Sequence, residues 1–86
     1  MLFGFVRMPR YYFHHSDGNS WSLDEEGKEL PSVETARQVA VMTARSMICD
    51  DALQGRISLR HVIKVADEQR RQVFLLHFRD AVVLED

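Results

Sequence analysis

The segment from residue 33 to residue 53 carries two apolar stripes, and this pattern limits the possible folds more than any other feature of the sequence. At about 100° per residue, each stripe lies along one side of an α-helix. The inner stripe has four-residue steps and small side chains, which suit a helix that packs closely on a sheet. It consists of Val33, Ala36, Ala40, Ala44, Met47 and Ile48.

The outer stripe lies roughly opposite and consists of Val39, Met42, Ser46, Cys49 and Leu53. Its spacings of 3, 4, 3 and 4 residues follow the rhythm of helices that pack on other helices. A single helix on a single sheet needs only one apolar face, so we predict that the outer stripe is an interface with a second copy of the chain. The alternative is that residues 1–7 or the C-terminal residues fold over it within one chain.

Residues near both ends of this segment predict where the helix begins and ends. Ser32 is a favourable N-cap because its hydroxyl can accept an N–H of the first turn. Glu34 lies in that turn, where the helix dipole favours a negative charge. The helix is predicted to run from Val33 to between Cys49 and Leu53, with Gly55 as its stop.

Strand patterns flank the helix on both sides. Aromatic and alternating residues in RYYFHH and WSLD, separated by the turn sequence SDGNS, predict a first hairpin. RHVIKVA and QVFLLHF, separated by DEQRR, predict a second. The prediction is therefore an α+β fold in the order ββαββ, two antiparallel hairpins forming a sheet with one helix on one face. The strand order is left open.

We expect a single core to form from both hairpins and the inner stripe. Its predicted members are Phe13, Trp21, Leu23, Ala36, Ala40, Ala44, Met47, Ile63, Val65, Phe74, Leu76 and Phe78.

Length and composition indicate one ordinary globular domain spanning residues 1–86. The chain is 45% hydrophobic and 28% charged, with a net charge of −2, so bulk charge gives no reason to expect nucleic acid or an anionic membrane as a partner. Cys49 is the single cysteine, and no apolar run is long enough to span a bilayer, so we expect a cytoplasmic protein. Strand pattern begins abruptly after residue 7. Residues 1–7 are therefore predicted to be an extension outside a core at 8–83, and Met1 and Met8 both stay open as the start.

Three kinds of chemical site have candidate residues in the sequence: a calcium loop, a histidine metal site and a reactive cysteine. A calcium loop counted from Asp17 places Trp21 and Lys28 where oxygen ligands belong. His14 and His15 are adjacent in a strand and point to opposite faces, although His14 and His77 could share one face. Cys49 lies near a helix C-terminus, where the dipole disfavours a thiolate. We therefore expect no catalytic residue, no metal and no cofactor.

Nucleic-acid binding has one supporting feature. Tyr12, His14, Leu75 and His77 are predicted to lie on the sheet face away from the helix, and arginines concentrate in the second half of the chain. Aromatic residues on an open sheet beside arginines are typical of some RNA-binding domains. Acidic residues interleave with these bases, so this remains the second interpretation.

Four stretches of the sequence together resemble a family of small uncharacterised bacterial proteins, a domain of unknown function. They are MPRYYFHHSDG, DEEGKELPS, the alanine-spaced helix and VADEQRRQVFLLHFRDAV. Members of that family open with a Met-Pro-Arg-Tyr-aromatic-Phe-His run, and the resemblance covers residues 8 to about 83. It implies no activity and no catalytic residue.

The chain departs from this family at two positions besides its extra residues 1–7. Gln69-Arg70 stands where the second hairpin turn of the family usually has a glycine, and a positive φ at a non-glycine residue costs about 1 kcal/mol. His77 stands where the family often has a proline. Since proline is confined to edge strands, this difference predicts that His77 lies on an edge.

Together these observations predict a non-catalytic interaction or regulatory module that forms a homodimer through the outer stripe. The alternative, from another class, is a nucleic-acid-associated regulator of the antitoxin type, which is also built from small α+β units.

Overall fold

One helix lies across one face of an antiparallel sheet in the computed structural model, which describes residues 7–86. The elements are β1 (Arg10–Ser16), β2 (Trp21–Ser22), β3 (Lys28–Glu29), α1 (Val33–Leu53), β4 (Val62–Ala66), β5 (Gln72–His77) and a 3₁₀ turn at Phe78–Asp80. The strand order is β2-β1-β4-β5, and β3 also pairs with β1. The predicted α+β fold is confirmed. β5 lies at the sheet edge, as predicted from the proline that the resembled family often has at the position of His77.

The returning strand of the first hairpin is divided in two. β2 pairs with the C-terminal end of β1, with Ser16 opposite Trp21, while β3 pairs with its N-terminal end, with Tyr11 opposite Lys28. The other side of β1 pairs with β4 along five residues, and β4 pairs in turn with β5. One edge of the sheet is therefore short and interrupted, and the other is a continuous strand.

Both ends of α1 follow the local signals in the sequence. The Ser32 hydroxyl accepts the Thr35 N–H at 3.1 Å, as an N-cap should. At the other end, Gly55 has φ +87° and donates its N–H to Ala52 O at 3.0 Å, while Arg56 N–H reaches Asp51 O at 3.2 Å. These two bonds form a Schellman motif, which needs the positive φ that glycine adopts without strain.

The core lies between α1 and the facing side of the sheet. Ala36, Ala40 and Ala44, called the alanine stripe below, are completely buried, and they contact a sheet face that includes Ile63 and Val65. Seven of the predicted core residues are buried: Ala36, Ala40, Ala44, Ile63, Val65, Leu76 and Phe78. Phe13, Met47 and Phe74 are half-buried against them, and the core also includes Tyr11, Leu30, Ile48 and Ala81.

The predicted burial of Trp21 and Leu23 is wrong. Trp21 is 49% exposed and Leu23 is 68% exposed. Trp21 lies opposite Ser16, which alternates with His15, so its side chain shares the sheet face turned away from α1. Leu23 comes after the end of β2, in the segment that separates β2 from β3.

Asp24 holds that segment against β1. Its Oδ2 accepts the Phe13 N–H at 3.0 Å, and its Oδ1 accepts the N–H groups of Gly27 at 3.0 Å and Glu26 at 3.2 Å. Its own N–H donates to His14 Nδ1 at 3.0 Å. Burial acts to raise the pKa of Asp24, but these three donors outweigh it and hold that pKa below its ordinary value. The carboxylate thus accepts the Phe13 N–H of β1, which a continuous returning strand would otherwise accept.

Positive φ angles at Gly27 and Arg70 shape two of the connections between elements. Gly27 has φ +70°, and a Cβ there would lie 2.8 Å from Tyr11 O, so the chain passes β1 too closely for any side chain. Arg70 has φ +64° in the turn where the family resemblance places glycine. Asp67 Oδ1 supports this strained turn by accepting the N–H groups of Gln69 and Arg71, each at 2.9 Å.

The expectation that residues 1–7 form an extension falls mostly on residues 1–6, which lie outside the described residues. Arg7 is exposed and pairs with Glu68 in the β4–β5 turn.

We predict that Asp24→Ala lowers the free energy of unfolding by about 1–3 kcal/mol, because it leaves the half-buried Phe13 N–H without its acceptor. Urea denaturation of the variant and of Glu25→Ala measures this. Glu25 is the exposed neighbour of Asp24, so its substitution should change stability by less than about 0.5 kcal/mol. Equal midpoints for the two variants would contradict the role given to Asp24.

Candidate functional site

The outer stripe of α1 is exposed along most of its length. Met42 is 61% exposed and Leu53 is 79% exposed, and Ser46 and Cys49 are exposed as well. Val39 is half-buried because it also contacts the edge of the core. The five residues predicted to form an interface therefore lie together along one open side of the helix.

The surroundings of the outer stripe are uncharged along most of the helix. A shallow groove there is lined by Thr35, Gln38, Val39, Met42, Thr43, Ser46 and Met47. The sequence analysis did not assign Thr35, Gln38 and Thr43 to this surface, because the outer stripe was traced mainly by the spacing of apolar residues and these three are polar. Arg45, on one flank, turns its Nε to Ala81 O at 2.7 Å.

Nothing among residues 7–86 covers the outer stripe. Residues 82–86, called the tail below, include Val83 at 82% exposure and Leu84 at 71%, so these side chains do not pack on the helix. The tail is thus excluded as the cover considered from sequence. The other candidate, residues 1–7, falls mostly outside the described residues.

A second cluster brings together two histidines that sequence reasoning did not connect. His15 Nε2 and His61 Nδ1 are 2.7 Å apart, so one ring nitrogen donates to the other. The rings of this histidine pair lie 5.9 Å and 5.1 Å from the ring of the buried Phe78. The strand pairing brings the two histidines together. β4 lies beside β1, so His61, which precedes β4, lies at the end of β1 near His15.

Electrostatics favours a neutral ring in the histidine pair. Burial lowers the pKa of His15 below its ordinary value, the neighbouring His61 lowers it further, and Asp17 opposes the change. The hydrogen bond between the two rings needs at least one neutral imidazole, because one ring nitrogen must accept. The pair therefore contributes to packing at this end of the sheet.

The sheet face away from α1, called the open face below, carries the residues that were considered for nucleic-acid binding. The strand register places Tyr12, His14, Leu75 and His77 on this face, as predicted, and adds Lys64 between His14 and Leu75. Tyr12 and His14 stack with ring centroids 6.5 Å apart. Lys64, rather than His77, lies opposite His14, so the two imidazoles belong to different cross-strand rows.

Among residues 7–86 no group of three or more histidine, cysteine, aspartate or glutamate side chains is arranged to hold a metal ion. His14 and His15 lie on opposite faces of β1. The helix described in residues 33–53 is not apolar enough to cross a membrane.

Comparison with known proteins identifies one family. The family model described as Domain of unknown function (DUF6894) matches residues 10–79, well over half of the chain. No curated protein and no solved structure matches the chain.

We predict that the histidine pair makes folding sensitive to mild acid. Because the pKa of folded His15 is below the unfolded value near 6.5, its contribution is complete above about pH 6.5 and is lost as the pH falls through the folded pKa. Thermal unfolding between pH 5 and 8 should therefore show a smaller loss of Tm in acid for His15→Gln than for the wild type. His77→Gln, which removes an exposed imidazole, is the control, and an unchanged pH profile for His15→Gln would contradict the prediction.

Proposed function

We propose that this chain, which belongs to the family of the Domain of unknown function (DUF6894), is a non-catalytic interaction module that assembles with a second copy of itself. The observation that carries the proposal is the outer stripe, whose Met42 and Leu53 are more than half exposed in the isolated chain. Large apolar side chains that are aligned along one helix face are typical of a surface that is buried in an assembly.

The stripe suits a second copy because the groove beside it, from Thr35 to Met47, is lined by uncharged side chains and can match itself. A two-fold axis places the same patch on both partners, so this uncharged part brings no like charges together, and the exposed Asp50 adjoins only its C-terminal end. The alternating three- and four-residue spacing is the one by which helices interlock side chains. α1 spans 21 residues, or about 30 Å, which gives two helices a long common contact.

The energy available supports a modest affinity. Burying a methionine or leucine side chain completely is worth about 1.5–3 kcal/mol, and the stripe presents Met42 and Leu53 in each copy. Part of this gain offsets the entropy lost on association, so a contact between two helices of this length supports a micromolar dimer better than a permanent one.

The titratable side chains of the described residues support a non-catalytic role, because several of them have structural partners. His14 accepts the Asp24 N–H, Asp24 binds the backbone of β1, and His15 and His61 bond to each other. Cys49, the single cysteine, is exposed on the outer stripe. A bacterial origin, a cytoplasmic location and the family's opening run at residues 8–14 belong to the same proposal.

The open face favours one alternative, the nucleic-acid-associated regulator. Tyr12 and the exposed Trp21 offer aromatic rings on a face that also carries Lys64. Fluorescence anisotropy against mixed single-stranded and duplex pools tests it. We expect affinity weaker than about 10 μM at physiological salt, because the net charge is negative. Tighter binding that falls steeply with salt and is lost in Arg70→Ala and Arg71→Ala would favour the alternative.

We predict that Met42→Glu halves the mass of the particle in light scattering coupled to size exclusion, while the protein stays folded. The carboxylate is solvated in the single chain, where Met42 is exposed, but would be buried without a partner in the assembly. Thr43→Glu adds the same charge one residue farther round the helix, at the edge of the groove that Thr43 also lines, and should weaken assembly less. A wild-type chain that is monomeric at about 100 μM, far above a micromolar dissociation constant, would refute the proposal.

A further inference from the structure

The two edges of the sheet are protected very differently. At one edge, β2 and β3 contain two residues each and are separated by the segment that Asp24 holds in place. At the other edge, β5 presents six residues, QVFLLH, without a charged side chain or a proline. Natural sheets usually blunt such an edge with charges, prolines or a covering segment, because it can pair with another strand. No strand within residues 7–86 pairs with the outer side of β5.

The backbone groups available on this edge can be identified. Phe78 donates its N–H to His61 O at 3.0 Å, so residues in step with Phe78, including Leu76, bond inward to β4. The intervening residues Leu75 and His77 therefore direct their N–H and C=O groups outward. His77 is the N-cap of the 3₁₀ turn at Phe78–Asp80, so its C=O accepts the first bond of that turn. The Leu75 N–H and C=O and the His77 N–H are the three backbone groups open to a further strand.

The tail has the properties of such a strand. Its Val83 and Leu84 are 82% and 71% exposed, although both are large and apolar and valine favours strands. Ala81 anchors the start of the tail, since it is buried and its C=O accepts the Arg45 Nε of α1 at 2.7 Å. This anchor directs the tail to the helix side, away from the outer edge of its own β5.

The charges of the tail and of β5 are complementary. The tail ends in Glu85 and Asp86, whereas β5 follows Arg70 and Arg71 and precedes Arg79, all three exposed. An antiparallel arrangement brings the acidic end of the tail to the arginines at the start of β5. Five extended residues span about 16 Å, which fits along a strand of six.

We propose that the tail of a second copy adds to the outer edge of β5 as an antiparallel strand, and that the exchange is reciprocal. Its main-chain bonds go to Leu75 and His77, and its acidic end lies near Arg70 and Arg71. This contact uses a surface separate from the outer stripe. The two proposals therefore stand or fail independently, and both surfaces together give assemblies larger than a dimer.

His77→Pro tests the edge with little effect on the fold. His77 has φ −82°, close to the value that proline requires, and its N–H points outward, so the substitution removes one edge donor and no bond to β4. His77→Gln is the matched control, because it changes the side chain and keeps the N–H. Both are made in the Met42→Glu protein, which removes the contact through the outer stripe.

Sedimentation equilibrium of these proteins at several hundred micromolar gives the first readout. We expect Met42→Glu to form a dimer. His77→Pro should weaken that dimer about 30-fold, because the reciprocal dimer loses one hydrogen bond in each copy, and His77→Gln should leave it unchanged. Amide hydrogen exchange gives the second, since Leu75 and His77 should exchange more slowly as concentration rises.

A charge exchange identifies the tail as the occupant. Asp86→Arg should weaken the dimer, and adding Arg70→Glu should restore it. A Met42→Glu protein that stays monomeric at these concentrations overturns the proposal. So does a dimer that is sensitive to His77→Pro but indifferent to Asp86→Arg, because the edge then binds another β5 or residues 1–6. Equal masses for wild type and Met42→Glu, with His77→Pro still effective, refute the outer stripe and leave the tail exchange standing.

Discussion

The close approach of α1 to the sheet is the constraint on which the rest of the structure depends. Ala36, Ala40 and Ala44 have no exposed surface, so the helix backbone lies near the side chains of β4 and fills the space with methyl groups. The bulk of the core comes from the sheet and the segment after it, where Ile63, Val65 and Phe78 are almost completely buried. A larger side chain in the alanine stripe would push the helix outward and separate these layers.

α1 covers one face of the sheet and neither of its edges. Features of the strands and turns must therefore prevent unwanted strand pairing at the edges. Asp24 supplies a carboxylate where the returning strand leaves β1, which satisfies the Phe13 N–H and keeps a further strand from pairing there. At the edge formed by β5 an irregularity at Val73, between the residues paired with Val65 and Ala66, interrupts only the start of the strand. From Phe74 to His77 no side chain among residues 7–86 acts in the way that Asp24 does. The sheet thus has one edge at which Asp24 prevents a further strand from pairing, and one edge, β5, whose outward main-chain groups have no strand partner among residues 7–86.

Sequence predicted the features that depend on neighbouring residues and failed where distant parts meet. The limits of α1 follow from Ser32 and Gly55, which act within one turn. Trp21 was placed on the wrong face because alternation defines two faces, whereas loop length decides which face a residue takes after the turn. Four residues separate β1 from β2 and put Trp21 on the side of Ser16. The outer stripe lies on the open side of α1, and its role as an interface stays a prediction. The histidine pair depends on the strand order, which no local signal encodes.

The alanine stripe also explains why Met42 lies on the outer side of α1. A helix that must approach a sheet closely uses small side chains along the contact, and the larger Met47 and Ile48 reach the core only beyond Ala44. Met42 and Leu53 would overfill that layer, and on the opposite side they have no partner within residues 7–86. In a domain of 86 residues, whose single core is small, burial of this second stripe by another copy would add apolar contact without widening the space beneath the helix. Close packing inside the chain and the proposed association between chains would then be two consequences of one helix sequence.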